Sequence, residues 1–305
     1  MSAAPPFTAV VVIHDSGPDL ARLLHTVGRW LDPRPQVVVA DSGSRDDGAG
    51  QARAWGAEVI SLPANPGFGA ASNAGLARAA SDVTVLLNPD VELLDAGLLR
   101  LVAAVRARDV LAAPRLLNPD GSPQRSAHPL PGTVGALVPA LVHPPLLPPA
   151  IRVRAEPWRA ERSRTVGWAI GACLAGRTAA LRRLGPFDPG VFLYAEDMDL
   201  CLRARAAGVP TELHPEIALR HAGAHATGPA FGGEPVELLA ARRRAVVAQL
   251  GPRALALDDA AQALTFATRA AGRAVLGRDS GRERRQLAAL RAARQGGLAG
   301  GPPGK

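Results

Sequence analysis

The chain has 305 residues, of which 47% are hydrophobic and 20% charged, with a formal net charge of +8 at pH 7. That length accommodates one large domain with a full core and a smaller appendage, and the composition is that of a globular enzyme rather than a disordered or fibrous chain. No run of 18 clean apolar residues is present, so no spanning helix is expected, and Met1–Phe7 lacks the basic and apolar segments of a secretory leader.

Thr8–Ile13 (TAVVVI) is a short, β-branched, continuously apolar run, the pattern of a strand covered on both faces. Leu20–Leu31 repeats apolar residues at helical spacing, and Gln36–Ala40 (QVVVA) is a second buried strand ending at Asp41. Helical signals follow to Trp55, Glu58–Leu62 reads as a third strand, Ala70–Ala80 as a helix and Asp82–Leu87 (DVTVLL) as a fourth strand. This alternation predicts an α/β fold with a mostly parallel sheet flanked by helices, whose ligands bind beyond the carboxyl ends of the strands. Residues 129–151 are rich in Pro and Leu without a period and read as a loop or surface segment. Val166–Thr227 holds the densest polar chemistry. Helical spacing returns in Val236–Leu250, Leu255–Leu276 and Glu283–Arg294, and 296–305 reads as a flexible tail.

The charge is concentrated. Between Arg242 and Arg294 there are 12 arginines against Asp258, Asp259, Asp279 and Glu283, so this stretch carries +8 and the rest of the chain balances to zero. Aromatic residues are few, with only Phe266 in the basic stretch, which argues against nucleic acid as a partner. Cys173 and Cys201 form no CxxC or metal-ligand spacing, so two reduced, packed thiols are expected.

Five constellations carry candidate chemistry. Asp41, in ADSGSRDD at a strand end, is either an acceptor for a nucleobase N–H or a helix N-cap. Asn65–Gly75 (NPGFGAASNAG) joins strand to helix, where glycines allow close backbone approach and a helix N-terminus favours phosphate. Ser72 stands where a dinucleotide fingerprint needs its third glycine. Asn88-Pro-Asp90 follows the fourth strand, and Mg²⁺ or Mn²⁺ on a diphosphate needs only one or two protein carboxylates. The competing reading is a type I turn, as expected for Asn118-Pro-Asp120, which Gly121 follows. In Tyr194-Ala-Glu-Asp-Met-Asp199, three carboxylates repel one another unless a cation or substrate relieves them, and Asp197 at a helix start could serve as general base. The alternative is a charged helix start with Asp199 paired to Arg203. His221 is either structural or, as neutral imidazole, a metal ligand.

In this order and spacing, VVVIHDS, VVVADSGSRDD, NPGFGAASNAG, LLNPDVEL, GPFDPGVFLYAEDMDLCLRARAAG and a later His resemble the inverting family 2 glycosyltransferases of GT-A fold, most of all their rhamnosyltransferase-like branch. The resemblance covers about residues 7–228 and also takes in LLNPDGSPQRS and VGWAIGACLAGRTAAL. It implies a GT-A domain over 7–228 with a donor half to about 112 and an acceptor half from 113, followed by a basic helical appendage over 229–295. It further implies that His14, Asp15 and Asp41 line the base and ribose pocket, and that the loop bearing Asn65, Gly67, Phe68 and Asn73, together with Asn88, shapes the donor site. Asp90 and His221 would bind Mn²⁺ or Mg²⁺, Asp197 would deprotonate the acceptor hydroxyl with Glu196 beside it, and Trp168, Asp199 and Arg203 would lie on the acceptor side. Asn88 replaces the first Asp of the DxD motif, His14-Asp15 stands where an aromatic–Asn pair is usual, and His225 is a second candidate ligand.

The expected reaction moves a sugar from a nucleotide-diphosphate donor to a cell-surface glycan or polyprenyl-linked acceptor. The expected location is cytoplasmic, peripheral at the inner face of the plasma membrane, with the basic helices on its anionic surface. Two alternatives stand beside it. A catalytically inactive nucleotide-sugar binder would bind donor without transfer, and a nicotinamide-dependent oxidoreductase would need the missing glycine and has no use for the carboxylate cluster.

Overall fold

The structure is a computed structural model that describes residues 6–63, 65–142, 144–185, 187–188, 193–223 and 235–295. Internal contacts divide the chain into two units, one of Met1–Ala127 with Trp158–Thr227, the other of His128–Pro157 with Gly228–Lys305.

In the first unit the apolar runs become strands where the sequence predicts them: β1 (Thr8–Ile13), β2 (Gln36–Asp41), β3 (Glu58–Ser61) and β4 (Val83–Leu87). They are parallel and lie in the order β3-β2-β1-β4. Val85 and Leu87 of β4 and Val37 and Val39 of β2 are buried against Leu20, Leu23, Leu24 and Val27, the apolar stripe of the helix Gly17–Trp30. The chain winds from β1 outward through β2 to β3, then returns to place β4 on the other side of β1. The crevice that binds ligands in such sheets therefore opens beyond the carboxyl ends of β1 and β4.

Beyond β4 the sheet becomes mixed. β5 (Val91–Leu93) and β6 (Leu111–Leu117) follow in sequence, yet the next strand in space is Cys173–Arg177, antiparallel to both β4 and β6. The long strand Thr211–His221 runs parallel to β6 and antiparallel to β5, bringing His221 opposite Val91. With Arg164–Val166 pairing along Thr211–Leu213, the sheet has nine strands among the described residues. Cys173 and Cys201 are buried free thiols; burial raises both, Cys201 to about 11.

The helix Phe68–Ala77 packs unusually close to the sheet. A Cβ built on Gly75 would lie 2.4 Å from Val10 Cγ1, nearer than carbon atoms can approach. Gly75, not position 72, is thus the residue that sets helix–strand contact here. Gly75→Ala is expected to destabilise the protein by about 1–3 kcal/mol through overpacking, and Val10→Ala should restore most of that loss in the double variant. Thermal unfolding of the four proteins tests the coupling, and equal losses in the single and double variants would refute it.

In the second unit three helices, Val236–Ala248, Pro252–Val275 and Gly281–Arg294, enclose Val236, Ala240, Ala289 and Leu290, with Phe266 against them. Residues 128–157, expected within the acceptor half, group with these helices instead. They form short helical turns at Val134–Leu137, Val138–Leu141, Pro144–Leu146 and Pro149–Ala155 rather than an open loop. Thr268 Oγ1 donates to Ala140 O at 3.0 Å and Gly132 fits against Ala254, so this segment lies along the helix Pro252–Val275. No described helix is long and apolar enough to cross a membrane. The segment 296–305, expected as a flexible tail, lies outside the described residues.

Candidate active site

Three loops close the carboxyl ends of β1, β2 and β3. Ser42, after β2, donates from Oγ to Asn65 Oδ1 at 3.0 Å, and Asn65 Oδ1 also accepts the Gly67 N–H at 3.0 Å. His14 Nδ1 lies 2.9 Å from Ser42 O. Asp15 has φ 49° and its carboxylate receives the Arg45 N–H at 2.6 Å and the Arg45 guanidinium at 2.7 Å. Those bonds hold its pKa below the usual carboxylate range. Asp41 is buried and accepts the Ser44 N–H at 2.9 Å. It caps a turn and not the following helix, whose N-cap is Asp47. Gly67, with φ 90°, opens the helix Phe68–Ala77, which starts with no side-chain cap on its first N–H groups.

Asn73 has a different task from the one its motif suggests. Its Nδ2 donates to Phe187 O at 2.8 Å while its Oδ1 accepts the Phe187 N–H at 3.1 Å. Both ends of the amide are engaged on one backbone residue, so Asn73 ties the donor loop to a segment 114 positions away rather than facing ligand. Phe68 and Phe187 pack edge to face at 5.9 Å beside it.

The Asn88–Asp90 turn does more than reverse the chain. Asp90 Oδ1 stands 3.3 Å from His221 Nε2, and Asp90 Oδ2 accepts the Gly223 N–H at 2.9 Å. Burial raises the Asp90 carboxyl, but the hydrogen bond and charge of His221, with the Gly223 N–H, outweigh it and leave the group below its ordinary value. The other imidazole nitrogen, Nδ1, lies 2.7 Å from Gln124 Oε1, which makes it an N–H donor to that amide and leaves Nε2 facing Asp90. Asn88 Nδ2 is 3.5 Å from the same Nε2. Two ligand atoms cis to one another on an octahedral cation stand about 3 Å apart, so Asp90 Oδ1 and His221 Nε2 fit a divalent metal. Among the described residues no cluster of three or more His, Cys, Asp or Glu could hold one. A divalent cation held by this pair would complete its shell with phosphate and water. His225 lies outside the described residues.

Gln124 is the residue that sequence reasoning missed. Its Nε2 donates to Asn118 Oδ1 at 3.2 Å, and Asn118 belongs to the Asn118-Pro-Asp-Gly121 turn closed by Asp120 and Ser122. That tripeptide is indeed a turn, and it props the group that orients His221. The only sequence signal was its place in LLNPDGSPQRS.

The helix Glu196–Ala206 starts after two consecutive non-glycine residues in the left-handed region, Tyr194 (φ 74°) and Ala195 (φ 65°). Such conformations cost about 1–3 kcal/mol each and cluster where function constrains the backbone. They set Glu196 and Asp197 in the first turn, where the helix dipole favours negative charge. Asp197 accepts the Gly171 N–H at 3.1 Å through Oδ2 and the Met198 N–H at 2.7 Å through Oδ1. Burial outweighs these bonds and raises its pKa. Asp199 pairs with Arg203 Nε at 2.8 Å, and the same guanidinium binds Gly185 O at 3.0 Å and Leu184 O. This pair ties one helix start to the end of Thr178–Leu184, so its polar atoms are engaged within the fold and not held out to an acceptor. Trp168 is half-buried against the core that includes Leu174 and Leu200.

One short stretch brings the two halves of the site together. Ala172 O accepts the Asn88 N–H at 2.9 Å, and Gly171 N–H reaches Asp197. Asp197 and the turn that carries Asp90 thus hang on two neighbouring residues, Gly171 and Ala172.

The family model described as glycosyl transferase family 2 matches residues 8–183. An N-acetylglucosaminyl-diphospho-decaprenol L-rhamnosyltransferase of Mycobacterium tuberculosis is 31% identical over 263 residues, covering 80% of this chain and 83% of its own. Among solved structures, the mannosyltransferase PcManGT from Pyrobaculum calidifontis, in complex with GDP-Man and Mn²⁺, aligns over 96% of this chain and 87% of its own at TM-score 0.59 and 17% identity. Glucosyl-3-phosphoglycerate synthase from Mycobacterium tuberculosis, with Mn²⁺, UDP and phosphoglyceric acid, aligns over 81% and 78% at TM-score 0.50 and 20% identity. These two likenesses show the fold.

Proposed function

Because this chain belongs to glycosyl transferase family 2, and is a glycosyltransferase of GT-A fold, we propose that it transfers rhamnose from a nucleotide-diphosphate donor to a polyprenyl-diphosphate-linked N-acetylglucosamine. The sugar and acceptor follow the activity named for the mycobacterial relative. The observation that supports the chemistry is the half-buried Asp197 on the Gly171 N–H, next to the Ala172 carbonyl that holds the turn of Asp90.

The reaction is a single displacement. An Asp197 carboxylate oxygen takes the proton of the acceptor hydroxyl as that oxygen bonds to the anomeric carbon. The bond from the anomeric carbon to the nucleoside diphosphate breaks, the diphosphate oxygen leaves with the electron pair, and the anomeric configuration inverts. Gly171 and Met198 N–H groups hold the carboxylate in place, and its raised pKa makes it a stronger base than an exposed aspartate. Glu196, the first residue of the helix, lies beside it.

A divalent cation would be held by Asp90 and His221, and when bound it neutralises charge developing on the leaving diphosphate. The mixed oxygen and imidazole pair favours Mn²⁺ over Mg²⁺, which prefers oxygen alone. The loops of His14, Asp15, Asp41 and Asn65 form the base and ribose end, and the helix start at Gly67–Phe68 faces phosphate. Trp168 is assigned to the acceptor side, with Asp199 and Arg203 as supports for Asp197. A membrane-linked acceptor places the enzyme at the cytoplasmic face of the plasma membrane, with its basic C-terminal helices on anionic lipid.

Transfer from dTDP-rhamnose to a polyprenyl-diphosphate N-acetylglucosamine analogue tests the proposal, with UDP-glucose and GDP-mannose as competing donors. Product from another donor would reject the sugar, and donor binding without transfer to any acceptor would favour the inactive binder. Gln124→Leu should weaken Mn²⁺ affinity about 10–100-fold by releasing the His221 ring, read as a shift in the Mn²⁺ dependence of turnover. An unshifted dependence would remove Gln124 from the metal's support.

A further inference from the structure

All nine exposed large hydrophobic side chains among the described residues lie in the second unit: Val134, Val138, Leu141, Val142, Leu146, Ile151, Leu250, Val275 and Leu276. The net charge lies there too. Its residues, 128–157 with 228–305, hold 15 Arg and Lys against 7 Asp and Glu, which accounts for the whole +8, while the first unit balances at 20 against 20. The apolar sides of the three helices are not the source of this exposure, because Val236, Ala240, Ala289 and Leu290 are packed against one another. An interface helix lying flat on its leucines is therefore not what the unit offers.

Four of these side chains gather toward the far end of the helix Pro252–Val275. Residues 132–140 run along the helix Pro252–Val275, from Gly132 against Ala254 to Ala140 bonded by Thr268. Leu141 (65% exposed) and Val142 follow that bond directly. From Thr268 the helix continues for seven residues, about 10 Å, to Val275 (87% exposed) and Leu276 (68% exposed). Residues 271–279 are exposed throughout, and Arg273 and Arg278 flank the Val275-Leu276 pair.

We infer that this tip inserts into an anionic lipid bilayer, with Leu141, Val142, Val275 and Leu276 below the headgroups and Arg273 and Arg278 on their phosphates. Apolar side chains flanked by two guanidinium groups, of which Arg273 also donates to Asp279 O, suit an interface that is anionic outside and apolar within. A second copy of the chain is the poorer occupant, since two units of +8 repel. The inference rests on the membrane-linked acceptor proposed above and adds the residues that enter the membrane.

The test uses the full chain with vesicles of phosphatidylcholine with or without phosphatidylglycerol. Wild type should sediment with the anionic vesicles. The variant carrying Leu141→Ser, Val275→Ser and Leu276→Ser should bind at least about tenfold more weakly, and Arg273→Gln and Arg278→Gln should each cost about fivefold in a salt-sensitive way. Leu276→Cys carrying an environment-sensitive fluorophore should shift to the blue on anionic vesicles, whereas a label at Gln51→Cys should not. Native Cys173 and Cys201 are buried and spared by the label.

Unchanged binding of the triple variant, or no spectral shift at position 276 while the protein sediments, would overturn the tip and leave the membrane reading in place. Absence of sedimentation with any vesicle would overturn both. A wild-type dimer that the triple variant dissolves would identify the tip as a self-association surface instead. Transfer to a water-soluble acceptor should survive in the triple variant, so failure of the tip and failure of the transferase proposal are read separately.

Discussion

Asp197→Asn is expected to lower kcat by about 10²–10⁴-fold, the usual contribution of a positioned general base, with little change in donor affinity. The amide keeps the shape of the carboxylate but accepts only one of the Gly171 and Met198 N–H groups, and it cannot take the acceptor proton. Stability should move the other way. The folded pKa of Asp197 is raised by burial, so the native state binds the proton more tightly than the unfolded state. Between the unfolded and folded values stability falls as pH rises, and above both the ionised carboxylate is a net cost. Asparagine removes that cost, so the variant should melt no lower than wild type at neutral pH. In wild type the acid limb of kcat should lie above the pH expected for an ordinary aspartate, about 3.9. A variant that is inactive because it is unfolded, or one that turns over like wild type, would refute the assignment.

Chelation should abolish turnover, and Mn²⁺ should restore it. Asp90→Ala and His221→Ala are each expected to weaken Mn²⁺-dependent donor binding by at least about 100-fold, more than the loss of a supporting residue. The two losses should not add, because either deletion removes one of two protein ligands and dismantles the same centre. Donor binding measured without metal should be equal in wild type and both variants. Calorimetric titration of the nucleotide sugar with and without Mn²⁺ on wild type, both single variants and the double variant reads these affinities, and unchanged affinity in the presence of metal would move the metal elsewhere.

The parallel half of the sheet was legible because its strands are continuous β-branched runs, such as TAVVVI and QVVVA, and buried strands need no partner to be recognised. The second half was not. Cys173–Arg177 enters between β4 and β6 although it follows β6 by more than fifty residues, and no local pattern encodes that pairing. Residues 128–157 likewise carry Pro and Leu without a period, and their grouping with the C-terminal helices comes from contacts such as Thr268 with Ala140. The motifs were legible as stretches of sequence but not as contacts. The polar atoms of Asn73 and of the Asp199–Arg203 pair bind the fold, Asn73 on Phe187 and Arg203 on the end of a neighbouring helix. Gln124 shows the reverse, since its importance arises from a turn that folds it onto a histidine 97 positions later.

The Gly171-Ala172 stretch has a consequence for how such an enzyme diversifies. Its bonds to Asn88 and Asp197 come from the main chain, so the spacing between leaving-group end and base is set by peptide geometry rather than by side-chain identity. Side chains at these two positions therefore carry none of the connection, and under the proposed mechanism substitutions beside them that keep the core packing of Ile170 would leave the base and the metal turn in register.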